Sequence, residues 1–274
     1  AMKKQGIVSL IIDLSKQLPK PEESLPQVDE VKEIDISFAD EIAKAAKLHD
    51  KGKTLQRRLL QSVNKGLPID IAIPKEFTTK LVSSIHRNPN ALLCMTKIRE
   101  KDSYLLEHSL NVAILLANFA SYLEMPDEEV QELALSGFLH DIGKIKVPDD
   151  ILHKPGRLTD QEMVVMRDHV YFGVRVLEDM GIPERIIETI SQHHERLDGY
   201  GYPEGARGDE IGLFGRMIAI VDTYDAITAD RCYKAGMPSQ KALKILHADT
   251  PIKYDQHLVE QFIKCIGVYP VGSL

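Results

Sequence analysis

The chain has 274 residues, of which 43% are hydrophobic and 27% are charged, a composition that is ordinary for a globular protein. Its formal net charge of -7 argues against a long nucleic-acid surface, because duplex binding requires many lysines and arginines that neutralise phosphates. No apolar run reaches the roughly 20 residues needed to cross a bilayer, so we expect no membrane contact. Three scattered cysteines form no CxxC pair and no disulfide framework, which makes the cytoplasm the expected location.

The elements predicted along the chain are mostly helical. An apolar run at 7–12 favours a short strand, and three prolines among acidic residues indicate an exposed linker over 16–33. Helical periodicity begins at Phe38 and continues to Val63, where the segment from Asn64 to Pro68 ends it. The further predicted helices span 75–86, 91–99, 103–123, 127–140, 159–179, 184–194, 213–229, 238–248 and 255–266.

The predicted fold class is all-α, because alternating strand patterns are nearly absent from the helical part of the chain. We divide the chain into an N-terminal extension, 1–90, and a helical bundle, 91–274, that holds the chemistry. The extension contains no catalytic motif, and we interpret its His49 and His86 as surface residues. A regulatory or dimerising role for the extension, including a homodimer, is left open.

Imidazole and carboxylate side chains recur within the apolar helices of the second half. Such groups are costly there unless they are paired or bound to metal. A lone histidine of this kind is more often a hydrogen-bonded core residue, and a lone aspartate is more often part of a polar network. The whole set is hard to explain as separate accidents and predicts a metal site between facing helices. The candidate ligands are His108, His140, Asp141, His169, His193, His194 and Asp222.

Seven candidate ligands exceed what one ion requires. An aspartate that bridges two ions would account for the number, and paired ions activate water and clamp a phosphoryl group during in-line attack. Coordination that is rich in histidine and poor in carboxylate suits Fe, Mn, Ni or Zn better than Mg or Ca. The residues alone therefore predict a metal-dependent hydrolase of a phosphate ester.

Several motifs surround the candidate ligands. His140 and Asp141 open an HDxGK pattern at 140–144, and residues 193–203 match HHxxxDGxGYP in full. Residues 222–226 match a DxYDA element, and 230–234 match a DRxYK-like element. Together these motifs resemble the HD superfamily of metal-dependent phosphohydrolases, specifically its HD-GYP branch of bacterial cyclic dinucleotide phosphodiesterases. The resemblance covers about 91–274 and implies a helical bundle of the HD type.

The resemblance also implies roles for individual residues. Asp141 resembles the ligand that bridges two ions. One ion would take His108, His140 and Asp222, and the other would take His169, His193 and His194. Some family members carry a glutamate four residues before the first ligand histidine and bind a third metal. Tyr104 stands at that position here, which favours two ions, with Fe or Mn expected first and Ni or Zn as alternatives.

The substrate contacts follow from the same resemblance. Lys144 is similar to the lysine that contacts the scissile phosphate, and we assign Lys144 and Asp141 to catalysis. The residues expected to bind substrate are Lys144, Gly201, Tyr202, Arg231 and Lys234. Taken alone, Arg231 and Lys234 would be read as a solvated surface turn. Glu195 and Asp198 either orient ligand imidazoles or cap the loop.

The function implied is hydrolysis of cyclic di-GMP to linear pGpG, with further hydrolysis to GMP left open. One alternative is a preference for 3′,3′-cyclic GMP-AMP, because no motif discriminates the bases. A second is a broader nucleotidase of the HD superfamily, against which the complete GYP element argues. A third is a catalytically silent cyclic dinucleotide receptor, with protein partners bound through the GYP loop.

Overall fold

Residues 36–98, 104–229 and 235–267 are described by a computed structural model of the chain, with side chains omitted at 104 and 105. They belong to one compact unit, 34–274. The all-α prediction is confirmed, since within these ranges the only β pairing is one isolated bridge between Asp198 and Arg207. The strand at 7–12 and the linker at 16–33 lie outside the described residues.

The predicted helices are present, with shifted ends. The helix predicted at 91–99 begins two residues earlier, at Pro89, and ends at Met95. Two short 3₁₀ helices, Ile142–Lys146 and Gly208–Glu210, were not predicted. In chain order the α-helices are α1 (Phe38–Asn64), α2 (Ala72–Arg87), α3 (Pro89–Met95), α4 (Tyr104–Tyr122), α5 (Asp127–Leu139), α6 (Asp149–Leu152), α7 (Asp160–Asp179), α8 (Glu184–Ser191), α9 (Leu213–Thr228), α10 (Ser239–Ala248) and α11 (Gln256–Ile266).

Helix α4 forms the centre of the bundle. Every residue from 107 to 120 is buried, and the helix packs against α1, α2, α5 and α9. A helix that is apolar on all sides belongs in a core rather than at a surface. Any polar side chain between 107 and 120 is therefore held among neighbouring helices, away from water. Among the described residues, none of the helices is long and apolar enough to cross a membrane.

Helix α1 contacts the segments that carry the HDxGK motif. The buried Gln56 side chain donates a hydrogen bond to the carbonyl of Phe138, one of the last carbonyls of α5. Lys146 donates to the carbonyl of Val63 at 3.3 Å. The helices before residue 90 thus share a core with those after it, and the division of the chain at 90 stays a prediction.

The surface interpretation of His49 is wrong. His49 is 5% exposed and lies on the inner face of α1, in register with Ala45, Gly52 and Gln56. That face is buried because Gly52 allows close packing of α1 on Phe77 and on α4. His86 on α2 is exposed, as predicted.

Candidate metal centre

Five helices deliver the seven candidate ligands to one place. His108 lies in α4, His169 in α7 and Asp222 in α9, whereas the others follow directly on the ends of α5 and α8. Six of the seven side chains are at most 8% exposed, and His194 is 22% exposed. The structure therefore brings together all the residues that the sequence singled out as ligands.

Asp141 lies at the middle of the centre, and its two oxygens face different histidines. Oδ1 is 3.6 Å from His169 Nε2 and 3.9 Å from His193 Nε2. Oδ2 is 3.5 Å from His108 Nε2 and 3.4 Å from His140 Nε2. The carboxylate thus has a different group of imidazoles on each oxygen, which is the arrangement required of a bridging ligand.

Most of the donor atoms fall into the same two groups, and a further set of three, His140, Asp141 and His193, spans them. One set of three able to hold an ion is His108, His140 and Asp222, and another is His169, His193 and His194, with donor atoms within 4.8 Å of one another in each set. Asp222 Oδ1 lies 2.9 Å from His108 Nε2, and its Oδ2 lies 3.6 Å from His194 Nδ1. Asp222 thus has one oxygen near each of the two groups.

Backbone carbonyls orient three of the imidazoles. Nδ1 of His140 lies 2.7 Å from the carbonyl of Gly137, and Nδ1 of His169 lies 2.6 Å from that of Met166. His193 makes the same contact with Ile190, again three residues earlier. Each Nδ1 donates to its carbonyl, so each Nε2 is left as an acceptor that faces the centre.

Burial keeps several of these histidines neutral. It lowers the pKa of His169 to about 4, with the charge of Lys144 as the next cause, and it lowers the pKa of His194 to about 3. The pKa of His193 is also far below its ordinary value, first because of burial and then because of the neighbouring histidines. A neutral imidazole has the free lone pair that a metal ion needs.

The carboxylates of the centre remain ionised. Burial alone would raise the pKa of Asp141, but His140 and Lys144 outweigh it and hold that pKa well below its usual range. The pKa of Asp222 is likewise lowered, because its hydrogen bond and charge pairing with His108 overcome burial. Burial opposes protonation of His108, yet Asp222 and Asp225 raise its pKa to about 9.

The donor set fits divalent metal ions. His140 Nε2 and Asp141 Oδ1 are buried, and neither takes part in a hydrogen bond. Buried polar atoms of this kind normally have a partner, and bound metal ions would provide one for each atom. The neutral imidazoles of His169, His193 and His194 and the ionised carboxylates have the protonation states that metal ligands require, and at His108 a metal ion would take the place of the Nε2 proton.

Comparison with known proteins agrees with this geometry. The model of the HD domain family matches residues 92–258. The chain belongs to the HD domain family. Its complete HHxxxDGxGYP pattern assigns it to the HD-GYP branch, and the family together with the cluster identifies a divalent-metal site.

The chain is similar in sequence to several cyclic dinucleotide phosphodiesterases. The chain is 36% identical over 283 residues to a cyclic di-GMP phosphodiesterase of Pseudomonas aeruginosa, covering 100% of this chain and 68% of that protein. It is 32% identical to a cyclic di-GMP phosphodiesterase of Thermotoga maritima, over 75% of this chain and 56% of that protein. It is 35% identical to 3′3′-cGAMP-specific phosphodiesterase 3 of Vibrio cholerae, over 62% of this chain and 37% of that protein.

A solved structure shares the fold. Bd1817, an HDG"Y"P protein of Bdellovibrio bacteriovorus, superposes with a TM-score of 0.69 at 20% identity. The match covers 84% of this chain and 74% of that one, which establishes the architecture.

The HD-GYP loop lies against the histidines. The Tyr202 ring stacks on the His194 ring with centroids 4.6 Å apart. Gly201 has no room for a side chain, because a Cβ there would meet the backbone of Glu195 and Arg196. Glu195 accepts hydrogen bonds from the loop N–H groups of Glu204 and Gly205, at 2.8 and 3.0 Å, so it caps the loop.

Of the other residues that the sequence singled out around the site, Lys144 lies at the ligand cluster and Asp198 caps the loop instead. Lys144 Nζ donates to Asp141 Oδ2 at 2.5 Å, so its ammonium lies beside the shared carboxylate. Asp198 pairs with Arg196 and accepts from the N–H of Tyr200, which is a capping role. Arg231 and Lys234 lie outside the described residues.

Sequence reasoning missed the function of Asp225. This carboxylate is 1% exposed, and its Oδ2 lies 2.8 Å from Nδ1 of His108. It therefore fixes the tautomer that leaves His108 Nε2 facing Asp222 and Asp141. Its position three residues after Asp222, on the same face of α9, is the signal from which it could have been found.

Asp225→Asn is expected to weaken metal binding by about 10- to 100-fold, as the loss of such orienting partners typically does. Titration with a competing chelator would measure the dissociation constant. Asp255→Asn, which alters a helix cap of α11 instead, should leave that constant unchanged. Equal affinity of Asp225→Asn and the wild type would show that Asp225 does not orient His108.

Proposed function

We propose that this HD-GYP protein is a metal-dependent phosphodiesterase that hydrolyses cyclic di-GMP to linear pGpG. The observation that carries the proposal is the Asp141 carboxylate, whose two oxygens face separate groups of imidazoles. That arrangement suits a pair of ions, and the names of the relatives supply the class of substrate.

The residues that would hold the ions follow from the two groups. His108, His140 and Asp222 would serve one ion, His169, His193 and His194 the other, with Asp141 shared. When bound, divalent ions supply Lewis acidity and activated water for attack on a phosphodiester. The nitrogen-rich donor set favours Fe or Mn, with Ni or Zn as alternatives, and Tyr104 favours two ions over three.

The protein's own groups prepare the substrate site. Asp225 holds His108 in one tautomer, and the carbonyl contacts of His140 and His169 do the same for those rings. The Tyr202 ring covers one side of His194 and keeps water from that face. Lys144 places a positive charge beside the centre, where the charge of the scissile phosphate increases during attack. Hydrolysis adds one water across one P–O3′ bond and frees the ribose oxygen.

The assay that tests the proposal uses anaerobically prepared protein reconstituted with Fe(II) or Mn(II). Cyclic di-GMP and 3′,3′-cyclic GMP-AMP are supplied in parallel, and the products are separated by chromatography. We expect linear pGpG, with cyclic di-GMP as the faster substrate. Faster turnover of cyclic GMP-AMP would reassign the preferred substrate. Tight binding of either without any product would make the protein a receptor, although the complete set of ligands argues against that.

Lys144→Ala is expected to retain its metal and to lower kcat by about 100-fold, because it removes one preorganised charge from the reacting phosphate. Metal content and kcat measured on the same sample separate the two effects. Lys146→Ala is the matched control, since Lys146 lies in the same 3₁₀ helix and bonds the carbonyl of Val63 instead. An unchanged kcat in Lys144→Ala would remove the residue from the catalytic machinery.

Protein partners, a homodimer and a cytoplasmic location remain predictions. At the tip of the GYP loop Tyr200 is 78% exposed, which supports the loop as a docking surface for a partner. A pull-down that compares the protein with a loop-exchanged variant tests this; equal recovery of partners by both would contradict it.

A further inference from the structure

Arg167 lies beside the metal centre and has no role in the account above. It is exposed on α7, two residues before His169. Its guanidinium carbon is 5.0 Å from the centroid of the Tyr202 ring, and that ring stacks in turn on His194. Arg167, Tyr202 and His194 thus form a continuous stack that leads from solvent to the ligand cluster.

This stack lies at the side where the centre is least covered. The side chains of His194 and Lys144 are 22% and 16% exposed, whereas the other histidines of the cluster are at most 2% exposed. Tyr202 rests against His194 and is itself only half-buried. A substrate that reaches the cluster from this side passes the guanidinium of Arg167.

The charge of Arg167 is available to a ligand. Within the described ranges, no carboxylate lies within 4.0 Å of its guanidinium, in contrast to Arg87 and Arg185, which are paired with glutamates. The contact with the Tyr202 ring orients the guanidinium without neutralising it. A guanidinium held in this way can form two parallel hydrogen bonds to a phosphate.

We infer that Arg167 binds the phosphate of the cyclic dinucleotide that is not being hydrolysed. A cyclic dinucleotide has two phosphates, and the scissile one must lie at the ligand cluster beside Lys144. The second phosphate must then lie outside the cluster, at its open side, where Arg167 presents its charge. This inference rests on the proposed function, and it makes Arg167 a residue that selects diesters with two phosphates over those with one.

The test compares Arg167→Met with Arg175→Met in the full chain loaded with Mn(II). Methionine keeps an unbranched apolar stem and removes the charge. Arg175 is a matched control, because it is exposed on the same helix and stacks over a tyrosine, Tyr171, with 5.9 Å between guanidinium carbon and ring centroid. The substrates are cyclic di-GMP and bis(4-nitrophenyl) phosphate, which has a single phosphate. Binding of cyclic di-GMP is measured separately by calorimetry.

For Arg167→Met we expect KM and Kd for cyclic di-GMP to rise about tenfold or more, the usual effect of losing a charged hydrogen bond. The kcat for cyclic di-GMP and the hydrolysis of bis(4-nitrophenyl) phosphate should stay within about twofold of wild type, since the contact is made equally before and during the reaction. Arg175→Met should match the wild type in all these measurements. Arg167→Lys, which keeps the charge without the fork of donors, should fall between.

Three outcomes would overturn the inference. Unchanged KM and Kd would show that Arg167 does not contact the substrate. Equal losses with both substrates, or a lowered melting temperature, would show a structural role. A wild type that hydrolyses bis(4-nitrophenyl) phosphate but neither binds nor hydrolyses cyclic di-GMP would refute the proposed function itself, and this inference with it. If cyclic di-GMP binds without turnover, the Kd comparison alone decides on Arg167.

Discussion

Asp141→Ala is expected to lose the two proposed metal ions and to lower the hydrolysis of cyclic di-GMP by about 10⁴-fold or more, as happens when groups that act as a unit are removed. The physical reason is that one carboxylate faces both groups of imidazoles, through Oδ1 on one side and Oδ2 on the other. Asp222 also reaches both groups, through Oδ1 near His108 and Oδ2 near His194, but neither of its oxygens lies within 4.0 Å of His169 or His193, so it cannot take the place of Asp141.

Metal content measured by mass spectrometry, together with the chromatographic assay, checks this expectation. Asp141→Asn sharpens it, because the amide keeps the shape of the side chain but offers one oxygen and no charge; we expect it to retain at most one ion. Asp179→Ala, an exposed change at the end of α7, is the control and should keep metal and activity. Two ions retained by Asp141→Ala, with normal turnover, would refute the shared-ligand geometry.

Gly143→Ala is expected to destabilise the protein by about 3 kcal/mol and to weaken metal binding. A Cβ at Gly143 would overlap the carbonyl oxygen of His169 and the backbone nitrogen of Gly173. Both are backbone atoms of α7, so no side chain can rotate away to make room. The 3₁₀ helix must therefore move away from α7, which separates Asp141 from His169.

Urea denaturation of the metal-free protein measures the change in the free energy of unfolding. Gly173→Ala is a close control from the other side of the same contact, where a Cβ would lie 3.5 Å from its nearest neighbour, the nitrogen of Gly143. Gly173 is inside a helix, where alanine is favoured by about 0.5–1 kcal/mol, so that variant should be slightly more stable. If Gly143→Ala unfolds at the same urea concentration as the wild type, α7 and the 3₁₀ helix do not pack as described.

The sequence by itself determined which segments are helical and which residues are candidate ligands. Helical periodicity is local, so the spans from Phe38 and from Asp160 could be predicted within a few residues. Histidines and aspartates on apolar helices are costly without partners, so His108 and Asp222 stood out before any fold was known. The motifs added the family, which the comparisons support.

Only the tertiary structure decided how these residues meet. The split of the Asp141 oxygens between two groups, and the 2.8 Å contact of Asp225 with His108, depend on distances between helices. Spacing along a chain does not encode those distances, since packing in three dimensions determines them. For the same reason, the sequence did not reveal that His49 is buried or that Gln56 reaches the end of α5, because each outcome depends on the face that a distant helix covers.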